Sequence, residues 1–444
     1  ILQPEEDVVF FVLDAHKPTD VCNVYSDGQV RLVYKDEEED IPNFDDIFRD
    51  DEDENEEEVG EGREGLEALV ERRRERKAWE EKRNTLMFNY TQFSYYGKPS
   101  ACVALDVSWR LSRAGVAAAW CCGVALEAAP RCTSALRRAC LLDAAAYTPC
   151  SCSQNNMCLP CCTPPVVAGG ALRHAPDVGP HLRLHTVAGA SRLRQLLVDM
   201  GCRCSRRGRR GARWTRRCAA ARARRWRRRA RACNCASAAP RVAPLLTRPH
   251  APPLAALDLV FCLLALLEHE TLNRAEGFQH ALAALETDNG DNETGGLAGR
   301  RRDAATEAMV RLVNNTLSAR TLHRAGPFNY FIVQEGTPEA AIVCGPLWLG
   351  VAARWAAAAA GAVRGRGGAQ PLVASAGRSD GAALLLGVPP RSQHEPRNLF
   401  GAAFEQAATK SGVSISLDYF DSSVVFLPTS QRAQFLDALT ALLA

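Results

Sequence analysis

The first apolar run, Val8 to Leu13, ends abruptly in Asp14, His16 and Pro18. Its β-branched and aromatic make-up predicts a strand covered on both faces in a parallel sheet. Asp14 and His16 would then sit at its carboxyl end, where open α/β sheets place their ligands. "NVYSDGQVRLVY" reads as two strand-like runs about the turn residues Asp27 and Gly28. In "IPNFDDIF", Ile41, Phe44, Ile47 and Phe48 offer an anchor for a short turn against a partner or the domain itself, with a solvated loop as the favoured expectation. "REGLEALVERRRERKAWEEKRNTLMFNY" lacks Gly and Pro after Gly65 and predicts a long helix. Its apolar positions Leu66, Leu69 and Val70 give out into "ERRRERK", so the helix turns polar all round and projects into solvent or meets a charged partner. Tyr95, Tyr96 and a Gly-Lys-Pro-Ser turn follow, then a helix expected to bury Val103, Val107 and Leu111.

From about Gly115 to Pro249 the periodicity fades, except in "LRLHTVAGASRLRQLLVDMG" (182–201), where Leu193, Leu196 and Leu197 share a helical face. Order returns with "LDLVFCLLALLEHE", apolar enough to be buried, and with amphipathic helices in "EGFQHALAAL" and "DAATEAMVRLVNNTLSARTLH". "GPFNYFIVQEGTPEAAIVCGP" reads as two strands about Gly336-Thr337-Pro338, and "PLVASA" and "GAALLLGVPP" as further strands. The end alternates: helix "RNLFGAAFEQAATKSG", strands "SISLDYF" and "SVVFLP", and a last helix with Thr429 or Ser430 as N-cap. Phe400, Phe404, Phe420 and Phe426 are expected in its core, and edges around "RNLF" are a candidate partner surface. The chain therefore ends in a compact α/β domain.

Charge sharpens this outline. The net charge of +3 hides sixteen acids and one base between Asp36 and Gly62, and fifteen arginines with no acid between Cys202 and Arg231. Such opposed blocks speak of partners more than the sum does. The acidic tract is predicted to be a disordered, solvated loop, because burying that charge would cost more than its few apolar residues return. Fifteen of the 18 cysteines lie between Cys102 and Cys235, and no lysine occurs from Pro99 to Thr409. This uneven usage argues against a secreted disulfide scaffold and for a reducing, intracellular compartment. No apolar run reaches the length of a membrane span, and no signal peptide opens the chain. Ile1 is not a methionine, so the sequence is expected to begin inside a domain.

Candidate chemistry is sparse. Cys150, Cys152, Cys158, Cys161 and Cys162, with His174, His181 and His185, contain one C-x2-C half of a zinc knuckle. The second half lacks its pair, and chance composition accounts for the cluster better. The arginine tract, with Trp214 and Trp226, would hold phosphates without sequence preference. In "ERRRERK", Arg72, Arg73, Arg74, Arg76 and Lys77 form either a solvated face with weak ion pairs or an arm contacting a partner or DNA phosphate. Asp50, Asp51, Glu52, Asp53 and Glu54 are the candidate acidic interaction tract, able to dock basic partners or repel duplex DNA. No G-x-x-x-x-G-K-[ST] motif for ATP occurs in the sequence.

"ILQPEEDVVFFVLDAHKP", "NVYSDGQVRLV", "IPNFDDIFRDDEDE", "RRRERKAWEEKRNTLMFNYTQFSYYGKPSA", "LRQLLVDMG", "GPFNYFIVQEGTP", "GVPP", "RNLFGAAFEQAA", "FDSSVVFLP" and "RAQFLDALTALL" resemble the cell division control protein 45 family, in the family's order. The resemblance covers about the first 112 and the last 190 residues. It implies an α/β fold with a DHH phosphoesterase-like, RecJ-related N-terminal domain (truncated at its start), a helical middle region and a smaller C-terminal α/β domain. It divides the chain into the remainder of the DHH-like core (1–35), the acidic disordered loop (36–62), a charged helix returning to that core (63–114), an atypical Arg/Ala/Cys-rich region (115–250), a helical region (251–324) and the C-terminal domain (325–444). The texture of 115–250 is what a GC-rich gene read out of frame would give, and an intact transcript encoding the same tract would refute that.

The resemblance further implies a nuclear, non-enzymatic replication factor without cofactor. Its implied partners are the minichromosome-maintenance ATPase ring, the GINS complex, single-stranded DNA, chromatin, origin-loading factors and DNA polymerase, with no membrane. A DHH signature would carry two adjacent histidines, whereas Asp14-Ala15-His16-Lys17 carries one, with a lysine beside it. One carboxylate and one imidazole are too few for a two-metal phosphoesterase, which needs ligands from several strands. Asp14 and His16 are therefore expected to be vestigial, with Asp14 capping the following turn. The competing expectations are a metal-dependent DHH-type phosphoesterase or single-strand exonuclease, and a zinc-dependent nucleic-acid module.

Overall fold

The computed structural model describes residues 8–26, 28–34, 39–48, 63–128, 140, 157–162, 186–189, 191, 192, 195, 242–246, 254–269, 273–285, 292–364, 370–390 and 397–444. The zinc-type cysteine cluster, the arginine tract and Asp50 to Glu54 fall outside these residues or their described side chains. The chain forms two units, Ile1–Gly97 and Lys98–Ala444.

In the first unit the elements run β1 (Phe10–Val12), β2 (His16–Lys17), α1 (Val21–Val24), β3 (Val30–Leu32), α2 (Phe44–Ile47), α3 (Arg63–Thr91) and β4 (Tyr95–Tyr96). β1 and β3 pair in parallel, Phe10 opposite Val30. The two strand-like runs about Asp27-Gly28 are not a hairpin. Val21–Val24 is helical because the Asp20 carboxylate accepts from the Cys22 backbone N–H at 2.9 Å, an N-cap that outweighs the β preference of two valines. The double cover expected for β1 is also not seen among the described residues, since Phe11 is 73% exposed and Val8, Val9 and Phe10 are exposed too. The favoured solvated loop is not what "IPNFDDIF" forms; the anchored turn is: Ile47 is buried, and Tyr25, Phe44 and Phe48 meet edge to face or tilted within 6.1 Å.

The second unit opens with α4 (Ser100–Arg110), α5 (Val116–Ala128) and a three-stranded antiparallel sheet of β5 (Met157–Cys162), β6 (Val242–Leu246) and β7 (Leu254–Ala255). α6 (Ala256–Leu267), α7 (Arg274–Leu285) and α8 (Asn292–Ser318) follow. The rest is an α/β layer: β8 (His323–Ala325), β9 (Phe328–Val333), α9 (Pro338–Val343), α10 (Pro346–Arg364), β10 (Leu372–Gly377), β11 (Ala382–Val388), α11 (Phe400–Ser411), β12 (Ser416–Leu417), β13 (Val424–Pro428) and α12 (Arg432–Leu443). Its six strands lie in the order β12-β13-β11-β10-β9-β8, with β9 and β10 the parallel pair.

The period of two explains the packing. Leu372, Ala374 and Ala376 of β10 and Leu384 and Leu386 of β11 face Trp348, Leu349 and Trp355 of α10 and Met309 and Val313 of α8. The alternating Val373, Ala383 and Leu385 face Phe400 and Phe404 of α11 and Phe435 and Leu439 of α12. α6 is apolar except for Asp258 because it serves two cores: Phe261 and Ala265 join the α8–α10 layer, while Leu259, Cys262 and Leu266 pack with Trp120 of α5 and Ala281 of α7. α4 buries Cys102, Val103 and Leu105, but Val107 and Leu111 are exposed.

Several local expectations change. The second strand expected after Gly336 is the helix α9, because Thr337 caps the Ala340 N–H at 3.3 Å and Pro338 occupies the first turn, where its missing N–H is harmless. The last helix has neither Thr429 nor Ser430 as its cap; a 3-10 turn over Thr429–Gln431 leads into it. Phe420 is exposed, not core. "RNLF" is a buried tie rather than an edge at Asn398 and Phe400: the Asn398 amide donates to the Gly387 carbonyl at 3.3 Å and its oxygen accepts the Phe400 N–H at 3.1 Å. Gly387 in "GVPP" must be glycine, since a Cβ there would lie 2.2 Å from the Phe400 ring.

Candidate functional site

β1 delivers Asp14 and His16 at its end, as the sequence pattern predicts. The strand stops there and the chain turns: Asp14 Oδ1 accepts the His16 backbone N–H at 3.2 Å and lies 2.6 Å from His16 Nδ1. The expected cap on the following turn is thus made. β2 pairs His16 with Tyr96 of β4, and the two rings stand 4.9 Å apart. Burial raises the Asp14 pKa, but the His16 hydrogen bonds and charge more than offset it and hold the carboxyl below its ordinary value. Carboxylate and imidazole are committed to each other, and among the described residues no group of three His, Cys, Asp or Glu side chains is arranged to hold a metal ion.

Lys17 does not present its charge beside that pair. Its Nζ lies 2.5 Å from Glu39 Oε2 and 2.8 Å from Thr19 Oγ1, with side chains of Lys17 and Glu39 only 5% and 2% exposed. Glu39 also accepts from the Thr19 N–H at 2.6 Å, the Thr19 hydroxyl at 2.8 Å and the Tyr90 hydroxyl at 2.8 Å. Burial raises the Glu39 pKa; the donors Lys17, Thr19 and Tyr90 outweigh burial and hold it below the usual range. Burial and the neighbouring Glu39 push the Tyr90 phenol upward. Every oxygen of this buried carboxylate is satisfied, which is the condition under which a buried ion pair persists. The network was invisible in the acidic run, where Glu39 looks like its neighbours.

The basic cluster sits on α3. Residues 71–78 are all exposed. Arg74 pairs with Glu71 at 3.7 Å and Arg76 with Glu80 at 3.2 Å, while Arg72, Arg73 and Lys77 carry no ion pair among the described residues. One turn further on, α2 docks: Lys82 reaches Asp46 at 2.7 Å, Arg83 donates to the Ile47 carbonyl at 2.8 Å, and Arg83 lies 5.9 Å above the Trp79 ring. The helix is thus tied to α2 at residues 79–83, while residues 71–78 are exposed.

A second buried carboxylate lies in the other unit. Glu268, just beyond α6, accepts the backbone N–H groups of Leu347 at 2.6 Å and Trp348 at 2.9 Å in the first turn of α10. Burial pushes its pKa up to about 7, with a smaller push from Asp418, against the two backbone hydrogen bonds. Gly345 makes room for it, since a Cβ would stand 2.4 Å from the carboxyl carbon.

A CDC45 family profile matches residues 249–442, the helical and α/β layers of the second unit. The chain is 28% identical to "Cell division control protein 45 homolog" of Mus musculus and 27% to that of Homo sapiens, each match covering 100% of this chain and 85% of the relative. The crystal structure of CDC45 from Entamoeba histolytica superposes with a TM-score of 0.65 over 99% of this chain and 80% of that one, at 12% identity, so its likeness is one of fold. Family profile, curated relatives and mixed α/β fold agree, and the chain is similar to the CDC45 family.

Proposed function

We propose that this chain is a non-catalytic scaffold subunit of the eukaryotic replicative DNA helicase. Similarity to the CDC45 family supports a role in DNA replication and the cell cycle. In the finer reading, the chain bridges the minichromosome-maintenance ATPase ring and the GINS complex, contacts single-stranded DNA, and meets origin-loading factors and DNA polymerase on chromatin in the nucleus. Its N-terminal core is read as a DHH phosphoesterase-like layout. No described helix is long and apolar enough to cross a membrane.

The supporting observation is the state of the strand tip. A two-metal phosphoesterase needs carboxylates and imidazoles from several strands aimed at one point. Here Asp14 and His16 are engaged with each other, and Lys17, the next polar side chain, is tied to buried Glu39. Such a tip supports binding work rather than turnover.

Expressed at full length with ring and GINS subunits, the chain is expected to co-purify with both, and failure to do so sinks the scaffold reading. The enzymatic alternative has its own mark: manganese-dependent release of nucleotides that disappears in Asp14→Ala. A fluorescent fusion excluded from nuclei through S phase would contradict the placement.

A further inference from the structure

The exposed half of α3 is two-sided. At 3.6 residues per turn, Arg72, Arg73, Arg76 and Lys77 share one side of the helix, interrupted by Glu80 alone, which pairs with Arg76. The other side carries Glu71, Glu75 and Glu81, and its two bases are spent: Arg74 on Glu71 and Lys82 on Asp46. The charges are therefore mixed in sequence but sorted in space. Arg72, Arg73 and Lys77 remain exposed without an ion pair among the described residues. The Arg72–Arg73 and Arg76–Lys77 pairs stand about 6 Å apart along the axis, on the scale of neighbouring phosphates of one strand.

We propose that this side of α3 binds the sugar-phosphate backbone of a nucleic acid. The chemistry favours that occupant over an acidic protein. Protein hot spots pair arginine with aromatic and apolar neighbours that exclude water around it. Between residues 71 and 78 the basic side has exposed arginines and a lysine but no aromatic or apolar side chain beside them. The nearby Trp79 is occupied, with its Nε1 donating to the Asp45 carbonyl at 3.4 Å and its ring under Arg83. A strip of exposed cations suits a ligand held by counterion release, which needs charge and spacing but no pocket. α2 holds the helix at residues 79–83, so the strip is presented on a fixed rod. The inference deepens the proposed DNA contact and rests on that reading.

The test is fluorescence anisotropy of the full-length chain with a 20-nucleotide single strand and its duplex, across a salt series. Arg72→Glu/Arg73→Glu/Lys77→Glu is expected to weaken binding by about tenfold or more at low salt and to flatten the single-strand salt slope by roughly 2. Glu71→Gln/Glu75→Gln, on the other side, is expected to stay within about twofold of the parent or to tighten. Arg72→Lys/Arg73→Lys should keep most of the affinity, because backbone contacts read charge. A larger loss on the single strand or on the duplex identifies which backbone is held. Unchanged affinity and slope on both DNAs, a parent chain that binds neither, or loss confined to polyglutamate binding overturns the proposal. Co-purification of the triple variant with ring and GINS subunits is read in parallel: its retention leaves the scaffold reading standing whatever the DNA result.

Discussion

Glu39 and Glu268 are both buried carboxylates, one in each unit, and they are held in opposite ways. Glu39 faces an ammonium, a hydroxyl, a phenol and a backbone N–H, and its pKa falls. Among the described residues Glu268 meets only two backbone N–H groups, at a helix start, and burial pushes its pKa to about 7. A full counter-charge overcomes desolvation; the partial charge of a helix end, about half an elementary charge, does not. The comparison also explains the strand tip. The cation that answers Glu39 is the lysine beside the Asp14–His16 pair, so the fold uses that neighbourhood's charge for stability.

The largest break in this comparison is Lys17→Met, which strands a buried carboxylate and should cost about 3–5 kcal/mol in denaturant unfolding. Lys17→Met/Glu39→Leu should recover most of that loss, since an apolar pair of similar volume is often neutral. A double variant as unstable as the single one would show that Thr19 and Tyr90, not the ion pair, carry the energy.

pH separates the two carboxylates by sign. Glu39, with its lowered pKa, contributes stability that is present above the unfolded value of 4.5 and lost as pH falls through the folded value. Glu268 does the reverse: its cost is absent below 4.5 and complete above about 7, a difference of about 3 kcal/mol. Glu268→Gln should therefore remove a decline in stability between those pH values while leaving the acid limb below pH 4.5 in place. Parallel curves for parent and variant would place the Glu268 pKa near its ordinary value.

Two smaller changes sharpen the picture. Gly345→Ala drives a methyl against the Glu268 carboxyl and should cost about 2 kcal/mol by thermal unfolding, much less in a Glu268→Ala background. Arg76→Ala removes an exposed i, i+4 pair and should change stability by about 0.5 kcal/mol or less, which marks the strip on α3 as energetically idle in the free chain.

How much of this was legible depended on distance along the chain. β10 and β11 were readable because they lie between two helical layers, so nearly every residue in "PLVASA" and "GAALLLGV" is apolar. The Asp14 cap was readable because the N–H it accepts, that of His16, is two residues away. Lys17 and Glu39 are 22 residues apart, and Tyr90 is 51 beyond Glu39. Glu268 reaches its helix 79 residues later. A glutamate in an acidic run looks the same whether it is solvated or buried. The short elements misled for a related reason: at Asp20 and Thr337 one capping side chain decided helix over strand, against the β-branched pattern around it.

By itself, then, the order of residues determined the α/β character of the C-terminal half, the long charged helix, and the lone carboxylate-imidazole pair at the end of β1. These are properties of periodicity and near neighbours, which a linear chain carries on its face. Only the tertiary structure decided that Lys17 answers Glu39 and that Glu268 caps α10. The physical reason is that desolvation and counter-charge act through space, and which carboxylate loses its water depends on what the fold brings against it.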